Sequence, residues 1–398
     1  MNSQTAVVLA AGEGTRLRPL TRHRPKPMLP AANRPILEHV LDALVETGVE
    51  ELVLVVGYER DRVQNHVGPT YRDRPVTYVH QQKQLGTGHA LLAAREAVDG
   101  SMLVVNGDTL IDPTIVDDVA EAFAADDRNR TTLAVLEGPD PQDYGAVDVL
   151  DGTVTDLVEK PDADQYRLIN AGVYAFDPSI FETIEATPRE HGELALTDAI
   201  GRMIETGTVR AVETDGTWVD ATYPWDLLEL AREVLDSGVT AIPDRREGVW
   251  VAPSARVHER ANVQRPTVVG PDSEVGPGAV IGPNAALGRN VTVGANATVI
   301  SSVLDDDARV GPGATLIDTV TGQNVDVGAG SVVPGGPAEV RVGNEIFEER
   351  PLGALLADRV HAEGNVTFTP GSLVGPNATL RAGTSVSGQI PEGAEVRR

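Results

Sequence analysis

The stretch "VGPDSEVGPGAVIGPNAALGRNVTVGANATV", residues 269–299, repeats a pattern of six residues in which an aliphatic residue is followed by glycine. Neither the 3.6-residue period of a helix nor the two-residue period of a strand generates sixes. Such a repeat predicts a coil of stacked rungs, with aliphatic side chains inside and small residues at the corners. The aliphatic positions of the repeat begin well before this stretch and are Val251, Val257, Val263, Val269, Val275, Ile281, Leu287, Val293 and Val299.

The repeat is interrupted further along the chain. Its phase slips by one residue before Val310 and Leu316, and it is lost across residues 334–359. It returns at Phe368 and continues through Val374, Leu380 and Val386. The pattern resembles the hexapeptide-repeat left-handed β-helix, and residues 241–398 are therefore predicted to form a left-handed parallel β-helix domain.

The first half of the chain has a different rhythm. "TAVVLAA" (5–11), "ELVLVVG" (51–57) and "SMLVVNGD" (101–108) are apolar runs that end at or next to a glycine, as buried parallel strands do. "PILEHVLDALVETGV" (35–49) and "HALLAAREAV" (89–98) lie between them with helical spacing. The alternation predicts an α/β, Rossmann-like domain over residues 1–240, with a mixed, mostly parallel sheet whose ligands bind at the carboxyl ends of its strands.

The segment between the two halves predicts their boundary. "YPWDLLELAREVLDSG" (223–238) has the pattern of an amphipathic helix, and "VTAIPDRREG" (239–248) that of a linker. We therefore place the boundary near residue 240.

Composition restricts the partners of the protein. Asp and Glu number 59 against 33 Lys and Arg, a formal charge of −26 that repels nucleic acid and anionic lipid. Lysine occurs three times, and aromatic residues make up 4%. Acid excess with little lysine predicts the cytoplasm of a salt-loving organism, where screening reduces the Debye length to roughly 3 Å at 1 M salt.

Other function classes are excluded or disfavoured. The chain has no cysteine, so disulfides, thiolate chemistry and Cys-ligated zinc are ruled out. "MNSQTAVVLAAG" (1–12) lacks the basic start of a signal peptide, and no apolar run reaches 18 residues. These features predict an intracellular protein that does not cross a membrane.

The glycine-rich turn in "LAAGEGTRLRPLTRHRPKPMLP" (9–30) follows a predicted buried strand. Gly12 and Gly14 would let backbone N–H groups approach phosphate oxygens, and Arg16 and Lys26 would neutralise their charge. The turn is neither a Walker A sequence nor a dinucleotide-binding fingerprint. Because the chain avoids lysine, retention of Lys26 favours a site that needs a compact point charge.

Two carboxylates are candidate metal ligands. Asp108 ends "NGD" (106–108), and Asp220 lies in "WVDATYPWD" (218–226). Mg²⁺ in proteins takes oxygen ligands and usually one or two carboxylates, with substrate phosphates completing its shell. The sequence therefore predicts Mg²⁺ at Asp108 and Asp220, although Asp108 alone also suits a turn.

A family resemblance brings these motifs together. "LAAGEGTRLRPLT", "RPKPMLP", "QQKQLGTGHA", "NGD", "YGAV", "VEKP", "INAG" and "WVDATYPWD" resemble, in order, the sugar-1-phosphate nucleotidyltransferases. With the hexapeptide tail, the chain looks like the archaeal UDP-sugar pyrophosphorylases, some of which also acetylate glucosamine 1-phosphate. The resemblance implies transfer of a nucleotidyl group from an NTP to a sugar 1-phosphate, with release of pyrophosphate.

The same resemblance assigns roles to individual positions. It implies catalysis by Arg16 and Lys26 and Mg²⁺ binding by Asp108 and Asp220. Nucleotide contacts would come from Leu9, Ala11, Gly12, Gly14, Gln81, Gly86 and Thr87. Contacts to the sugar phosphate would come from Gly145, Glu159, Lys160, Asn170 and Gly172. The "GTGHA" form of the base-reading motif favours UTP, with glucose 1-phosphate or N-acetylglucosamine 1-phosphate as the acceptor.

Several alternatives stay open. The start motif is closer to glucose-1-phosphate thymidylyltransferases, which use dTTP. A second activity as an acetyltransferase is disfavoured because "AGSVVPGGPAEVRVGNEIF" (329–347) contains no histidine base, and His258 and His361 are interpreted as surface residues. A non-catalytic regulatory subunit would have lost its charged positions, and a GT-A glycosyltransferase would need a D-x-D motif. Hexapeptide coils often form trimers, so the coil is predicted to build a homo-oligomer.

Overall fold

A computed structural model describes residues 4–125, 130–138, 144–161, 166–189, 192–238, 240, 242 and 244–397. The chain forms two compact units, which we describe separately. The first consists of Met1–Glu13, Pro25–Met28 and Ile36–Trp218, and the second of Gly14–Arg24, Leu29–Pro35 and Val219–Arg398. The predicted linker falls partly on residues 239, 241 and 243, which lie outside the described residues.

The first unit is built on a mixed ten-stranded sheet. Thr5–Ala10 lies inside the sheet and pairs in parallel with Glu51–Val56 on one side and Met102–Asn106 on the other. Its six residues are all buried, as expected for a strand that is covered on both faces. The strand Leu168–Phe176 runs antiparallel to its neighbours. In sheet order the strands are Gly145–Leu150, Thr153–Glu159, Arg210–Glu213, Thr131–Glu137, Leu168–Phe176, Met102–Asn106, Thr5–Ala10, Glu51–Val56, Arg74–His80 and Thr70–Tyr71.

Helices connect these strands and pack on the sheet. Asp112 begins one of them by accepting a hydrogen bond from the Thr114 amide, and Pro113 occupies the first helical position. The predicted helix over 89–98 starts earlier, at Thr87, and ends at Ala93, followed by the 3₁₀ turn Arg95–Ala97. The helices of this unit are Ile36–Glu46, Arg60–Val67, Thr87–Ala93, Pro113–Ala124, Ser179–Ala186 and Leu196–Thr206, with a 3₁₀ turn at Lys26–Met28 and a short strand at Thr109–Ile111.

The second unit is a parallel β-helix with three faces, which together with the α/β sheet confirms the predicted fold class. One face contains Asp244–Arg246, Val249–Val251, Thr267–Val269, Ala285–Leu287, Val303–Leu304, Thr319–Thr321, Ala354–Leu356, Ser372–Val374 and Gln389–Ile390. A second face contains Arg256–Val257, Glu274–Val275, Thr292–Val293, Arg309–Val310, Asp326–Val327, His361–Ala362, Thr379–Leu380 and Glu395–Val396. The third contains Asn262–Val263, Val280–Ile281, Thr298–Ile300, Thr315–Ile317, Val332–Pro334, Thr367–Phe368 and Ser385–Val386.

The sixfold repeat produces the interior of this coil. Ile281, Val299 and Leu316 are completely buried in one apolar core that extends along the coil. The corners between faces require a left-handed backbone, which asparagine tolerates better than most residues. Positive φ angles of 54–60° are found accordingly at Asn284, Asn290, Asn296, Asn324, Asn365 and Asn377.

The phase slips have a simple structural cause. Leu287 pairs with Leu304, 17 residues later, whereas Val269 pairs with Leu287 across 18 residues. The corner after Val299 is therefore one residue shorter than the corner after Ile281. A second short corner precedes Thr321. This threonine is buried at a position where the repeat otherwise has an aliphatic residue, so the second slip cannot be recognised in the sequence.

The interruption at 334–359 is an inserted hairpin. Ala338–Val342 and Glu345–Arg350 form an antiparallel pair, and the coil resumes at Ala354, where Thr319 pairs with it. Phe347 of the hairpin packs on Tyr223 and Trp225, with ring centroids 4.7 Å and 5.2 Å apart. The hairpin is therefore an ordered part of the second unit.

Short elements complete the second unit. The predicted helix in 223–238 is found at Asp226–Ser237. The 3₁₀ turns Thr15–Leu17 and Leu20–Arg22 and the strands Pro30–Ala31, Arg34–Pro35 and Trp218–Asp220 are the others, the last of these beginning on a residue of the first unit. Within the described ranges, every helix is too short or too polar to span a bilayer.

Candidate active site

The carboxyl ends of two neighbouring strands, Thr5–Ala10 and Met102–Asn106, bring together the predicted nucleotide loop and the predicted metal ligand Asp108. Leu9 pairs in register with Asn106, and the Gly107 amide donates to the Leu9 carbonyl over 3.0 Å. Asp108 follows directly. Its Oδ2 lies 2.8 Å from Lys26 Nζ, whose side chain is only 11% exposed. Leu9, Lys26 and Asp108 are thus held at one edge of the sheet, as predicted for ligand binding on such sheets.

Gly12 has no packing reason to be glycine. No atom of the described chain lies within 4 Å of the position that a Cβ would occupy there. The space beside Gly12 is open, which suits a loop whose backbone N–H groups must reach a ligand. Ala11 precedes it and is fixed through its carbonyl, which accepts from Gln84 Nε2 at 3.1 Å and from the Tyr58 amide at 3.3 Å.

Gln84 is a loop residue that sequence reasoning missed. It lies in the same "QQKQLGTG" motif as Gln81, and its side chain donates a hydrogen bond to the Ala11 carbonyl of the glycine-rich turn. This contact could not be predicted from the sequence, because its partner Ala11 lies 73 residues away along the chain.

The predicted base-reading residues are together, but two of them have clear packing roles. The buried Gln81 donates from Nε2 to the Gly86 carbonyl at 3.0 Å and lies 3.0 Å from His89 Nδ1. A Cβ on Gly86 would lie 2.5 Å from the Leu194 carbonyl oxygen, and φ there is +96°, so glycine is required. The Thr87 hydroxyl accepts from the Leu196 amide at 2.9 Å.

The predicted sugar-binding residues form a second cluster. Gly145 pairs with Glu159 across antiparallel strands, and a Cβ on Gly145 would lie 3.2 Å from Glu159 Oε2 and 3.6 Å from Asn170 Cβ. Asn170 donates from Nδ2 to the Tyr174 hydroxyl at 2.7 Å and accepts from the Gly172 amide at 3.1 Å. A carboxylate and an amide are thus held next to a glycine that leaves space beside them.

Gly172 connects this cluster to the edge that carries Asp108. Its φ is +71°, and a Cβ there would lie 2.4 Å from Asn106 Nδ2. Asn106 is two residues before Asp108, and the positive φ favours glycine at position 172, where a larger residue would displace the Asn106 side chain. Lys160 also has a positive φ, of 47°, and its backbone amide donates to the Tyr144 carbonyl at 2.9 Å. Its side chain is exposed.

Aromatic residues around the sugar cluster were also missed. Burial raises the pKa of the Tyr174 hydroxyl well above its ordinary value, and the nearby Glu159 carboxylate adds to the shift. Trp218 donates from its indole nitrogen to the Ala171 carbonyl at 2.8 Å and packs edge-on against Tyr144 at 5.2 Å. Their polar ends hold the backbone beside Asn170, a role that becomes visible only when distant strands pair.

Three predicted site residues belong to the second unit. Gly14 has φ 63° and ψ 49° and begins the 3₁₀ turn that carries the exposed Arg16. Arg16 lines a cleft of about 620 Å³ together with Arg18, Arg22 and residues of the coil. Asp220 accepts a short hydrogen bond from the Thr222 hydroxyl.

A second carboxylate lies close to Asp220 in sequence. Burial raises the pKa of Asp226 to about 7, against the hydrogen bond from the Tyr223 amide at 2.6 Å, and the charge of Asp220 raises it further. The part of the chain described by the structure contains no cluster of three or more His, Asp or Glu residues suited to a metal ion. Asp108 and Asp220, the two predicted ligands, lie in different units.

The sequence matches two family models. Residues 5–237 match the nucleotidyl transferase family, and residues 263–390 match the GMPPB C-terminal domain. Because the first match covers more than half of the chain, the fold and the sheet-edge loops described above are those of a family member. The chain belongs to the nucleotidyl transferase family.

Individual relatives support this assignment. The chain is 39% identical over 246 residues to a bifunctional GlmU protein of Methanocaldococcus jannaschii, a match that covers 61% of this chain and 57% of the relative. It is 38% identical over 226 residues to the UTP–glucose-1-phosphate uridylyltransferase AglF of Haloferax volcanii, covering 56% and 92%. The chain thus spans little more than half the length of the GlmU relatives that it matches.

Solved structures show the same fold. A UTP-bound UDP-glucose pyrophosphorylase (UGPase) from Acinetobacter baumannii superposes with a TM-score of 0.53 and 26% identity, covering 58% of this chain and 94% of that one. The similarity in fold and sequence therefore covers nearly all of that enzyme.

Proposed function

We propose that this protein is a sugar-1-phosphate nucleotidyltransferase. It would transfer a nucleotidyl group from an NTP, most simply UTP, to glucose 1-phosphate or N-acetylglucosamine 1-phosphate, and release pyrophosphate. The observation that carries the proposal is the position of Lys26 beside Asp108 at the sheet edge that also carries Asn106, whose side chain contacts Gly172 of the sugar cluster. The relatives named above support the same reaction class.

The reaction needs little from the protein beyond position and charge. A phosphate oxygen of the sugar 1-phosphate attacks the α-phosphorus of the NTP, a new P–O bond forms, and the bond to the β-phosphate breaks as pyrophosphate leaves with the electron pair. The attacking oxygen is already anionic, so no general base is required. Lys26 and Arg16 would neutralise phosphate charge in the transition state, which is the main contribution that such a site can make.

The other predicted residues would hold the substrates. Leu9, Ala11, Gly12 and Gly14 would approach the nucleotide through their backbone, and the Gln81, Gly86 and Thr87 segment would lie against its base. Glu159 and Asn170 carry the hydrogen-bonding groups that sugar hydroxyls and an acetamido group need, with Gly145 and Gly172 leaving room for the ring. Lys160, with its exposed side chain, would contact the sugar phosphate.

Mg²⁺ fits the donor set at Asp108. Its carboxylate is partly exposed and carries the oxygen donors that this ion prefers. Asp220 is the second proposed ligand. When bound, the ion would supply charge neutralisation to the NTP phosphates.

The wider setting of the protein is part of the proposal. We expect the coil to form a homo-oligomer, a trimer in the simplest arrangement, and the catalytic domain to comprise residues 1–240. The charge of −26 and the scarcity of lysine favour the cytoplasm of a salt-loving organism.

A matrix of nucleotides against sugar phosphates tests the function. Pyrophosphate release would be measured with UTP and dTTP, each against glucose 1-phosphate, N-acetylglucosamine 1-phosphate and glucosamine 1-phosphate, at high salt with Mg²⁺. We expect the highest kcat/KM with UTP. A preference for dTTP would identify a thymidylyltransferase, and no pyrophosphate from any pair would support a regulatory subunit.

A further inference from the structure

Arg24 is a buried charge that the proposed reaction does not use. It lies seven residues after Leu17 in the loop segment Gly14–Arg24, which belongs to the second unit. The residue is 2% exposed, and its guanidinium contacts two buried carboxylates of the coil. Nη1 donates to Asp305 through a short hydrogen bond, and Nη2 donates to Asp358 Oδ1 over 3.4 Å.

The carboxylates occupy an unusual place in the repeat. Asp305 follows Leu304 at the corner where the equivalent turns have Gly270, Gly288, Gly322 and Gly375. Asp358 lies at the same corner two turns further along, one residue beyond the position equivalent to Asp305. Gly322, on the turn between them, cannot be replaced by a larger residue, because a Cβ there would lie 2.3 Å from Asp358 Oδ1.

A buried carboxylate is costly unless it is paired. Here both carboxylates are satisfied: Asp358 Oδ1 also accepts from the Gln323 amide at 3.0 Å, and Asp305 Oδ1 accepts from the Asp306 amide at 2.8 Å. Burial lowers the pKa of Arg24, but the charges of Asp305 and Asp358 outweigh it and raise that pKa above its ordinary value, so Arg24 stays charged. Arg24 Nε, in contrast, has no hydrogen-bond partner among the described residues.

The same segment has further attachments to the coil and within itself. His23 Nε2 lies 2.8 Å from Glu392 Oε1, and Arg22 lies 3.5 Å from the same carboxylate. The Thr21 hydroxyl donates to the Gly14 carbonyl at 2.7 Å and closes the loop on itself. The buried end of the loop is therefore Arg24, while Arg16 at its other end is exposed.

We infer that Arg24 is a positioning residue through which the β-helix sets the geometry of the loop Gly14–Arg24, which carries Arg16. The inference rests on the proposed function, because it assigns the NTP phosphates to the loop that Arg24 fixes. The rigid corner of the coil holds Arg24, Arg24 fixes the backbone of residues 14–24, and that backbone carries Arg16. The coil would thus contribute directly to NTP binding in addition to any role in assembly.

The first test separates NTP binding from sugar-phosphate binding in the full-length protein. In Asp305→Asn and Asp358→Asn the side-chain shape is kept and one carboxylate charge is lost. We expect KM for the NTP to rise about tenfold or more, because loss of position by even 1 Å is expensive in such sites. KM for the sugar phosphate should stay within about twofold in the same variants. Asp326→Asn, which removes a half-exposed carboxylate paired with His361, is the matched control and should change neither value.

A conservative series at position 24 tests the geometry of the pair. The planar fork of arginine spans both carboxylates, whereas a lysine ammonium can approach only one. We expect Arg24→Lys to retain part of the NTP affinity and Arg24→Gln to lose it. Equal loss in both variants, or a parallel rise of both KM values, would show that the triad serves only stability and would overturn the inference.

A second readout does not depend on catalysis. Trypsin can cut after Arg16 and Arg22, whereas the bonds after Arg18 and Arg24 precede proline. Release of the loop in Asp305→Asn should speed cleavage after Arg22 about tenfold under native conditions, as measured by mass spectrometry, because local opening controls such cleavage. Unchanged cleavage would overturn the inference even if the protein is active, and faster cleavage without any pyrophosphate release would refute the proposed function alone.

Discussion

The Nζ atom of Lys26 lies 2.8 Å from Oδ2 of Asp108, and these two residues come from segments more than 80 positions apart. One is among the three lysines of the chain, and the other is a predicted metal ligand. The ammonium of this pair can neutralise phosphate charge, and the carboxylate can hold a divalent ion. The pair therefore gives the sharpest mutational tests of the proposed reaction.

The lysine of the pair should act mainly on the transition state. We expect Lys26→Ala to lower kcat for pyrophosphate release by about a hundredfold with a smaller change in KM, because its charge neutralises phosphate as bonds change. Lys26→Arg should also be impaired, since a planar guanidinium cannot replace a point charge in so confined a place. Steady-state kinetics on all three proteins checks both expectations, and an Arg variant as active as the parent would refute the need for a point charge.

The carboxylate of the pair should control the dependence on metal. We expect Asp108→Asn to abolish nearly all turnover and to raise the Mg²⁺ concentration needed for half-maximal activity. The thermal midpoint should fall by only a few degrees, because the carboxylate is partly exposed. A magnesium titration of activity beside a thermal scan is the measurement. Asp61→Asn, at a highly exposed site, is the control; full activity of the parent in excess EDTA would rule out the metal.

Asp226 should make the second unit less stable as pH rises. Its pKa is raised by burial to about 7, so the folded state holds a proton that the unfolded chain releases near pH 4. The stability that this proton provides is fully present below pH 4 and is lost as pH rises through about 7. Asp226→Asn should therefore flatten the fall in the free energy of unfolding between pH 5 and pH 8.

Urea titrations at fixed high salt, with EDTA to exclude metal at Asp220, would measure this slope. The exposed Asp236→Asn on the same helix should keep the slope of the parent protein. If the parent is equally stable at pH 5 and pH 8, the raised pKa of Asp226 is wrong.

The interior of the coil should be sensitive to volume. Leu316 is completely buried in the aliphatic core, and Leu316→Ala should reduce the free energy of unfolding by about 2–5 kcal/mol, through lost burial and the cavity left behind. Val332→Ala, on the adjoining turn of the same face but partly exposed, should cost much less. Denaturant unfolding of both variants provides the comparison, and similar losses in the two would contradict the assigned interior.

Acetyl transfer is not expected. The segment 329–347 has no histidine, and His361, the nearest later one, is half exposed and pairs with Asp326 at 3.2 Å. A thiol assay with acetyl-CoA and glucosamine 1-phosphate should therefore show no release of free CoA above background. Release that depends on the sugar would contradict this, and His361→Ala would then show whether that histidine supplies the base.

The periodicity of apolar residues predicted most of the fold, because the contacts that build the strands and the turns of the coil are close in sequence or recur at a fixed spacing. The aliphatic ladder reports the interior of the coil directly, and the apolar runs report the buried strands of the sheet. The short corner before Thr321 escaped notice because a buried threonine replaces an aliphatic residue there. The hairpin at 338–350 appeared only as a loss of the repeat, since it pairs with itself.

Motifs predicted groups of residues that lie together within the first unit, such as Gly145, Glu159 and Asn170, but not how each side chain is used. Gly86 and Thr87 were assigned to base recognition, yet both have packing or hydrogen-bonding reasons within the protein, at Leu194 and Leu196. Gln84 and Arg24 lie within quoted motifs, but no role was assigned to either. Their partners lie 73 and 281 residues away, and pairing over such distances depends on the fold.

The inserted hairpin has a consequence for how such coils evolve. The turns on either side of it stay in register, with Thr321 paired to Leu356 and Val327 to Ala362. A corner of the coil can therefore gain a new structural module without any change to the turns that flank it. Lineages could acquire recognition surfaces by insertion at a corner, and an engineer could place a reporter sequence at the exposed Gly343 tip of this hairpin for the same reason.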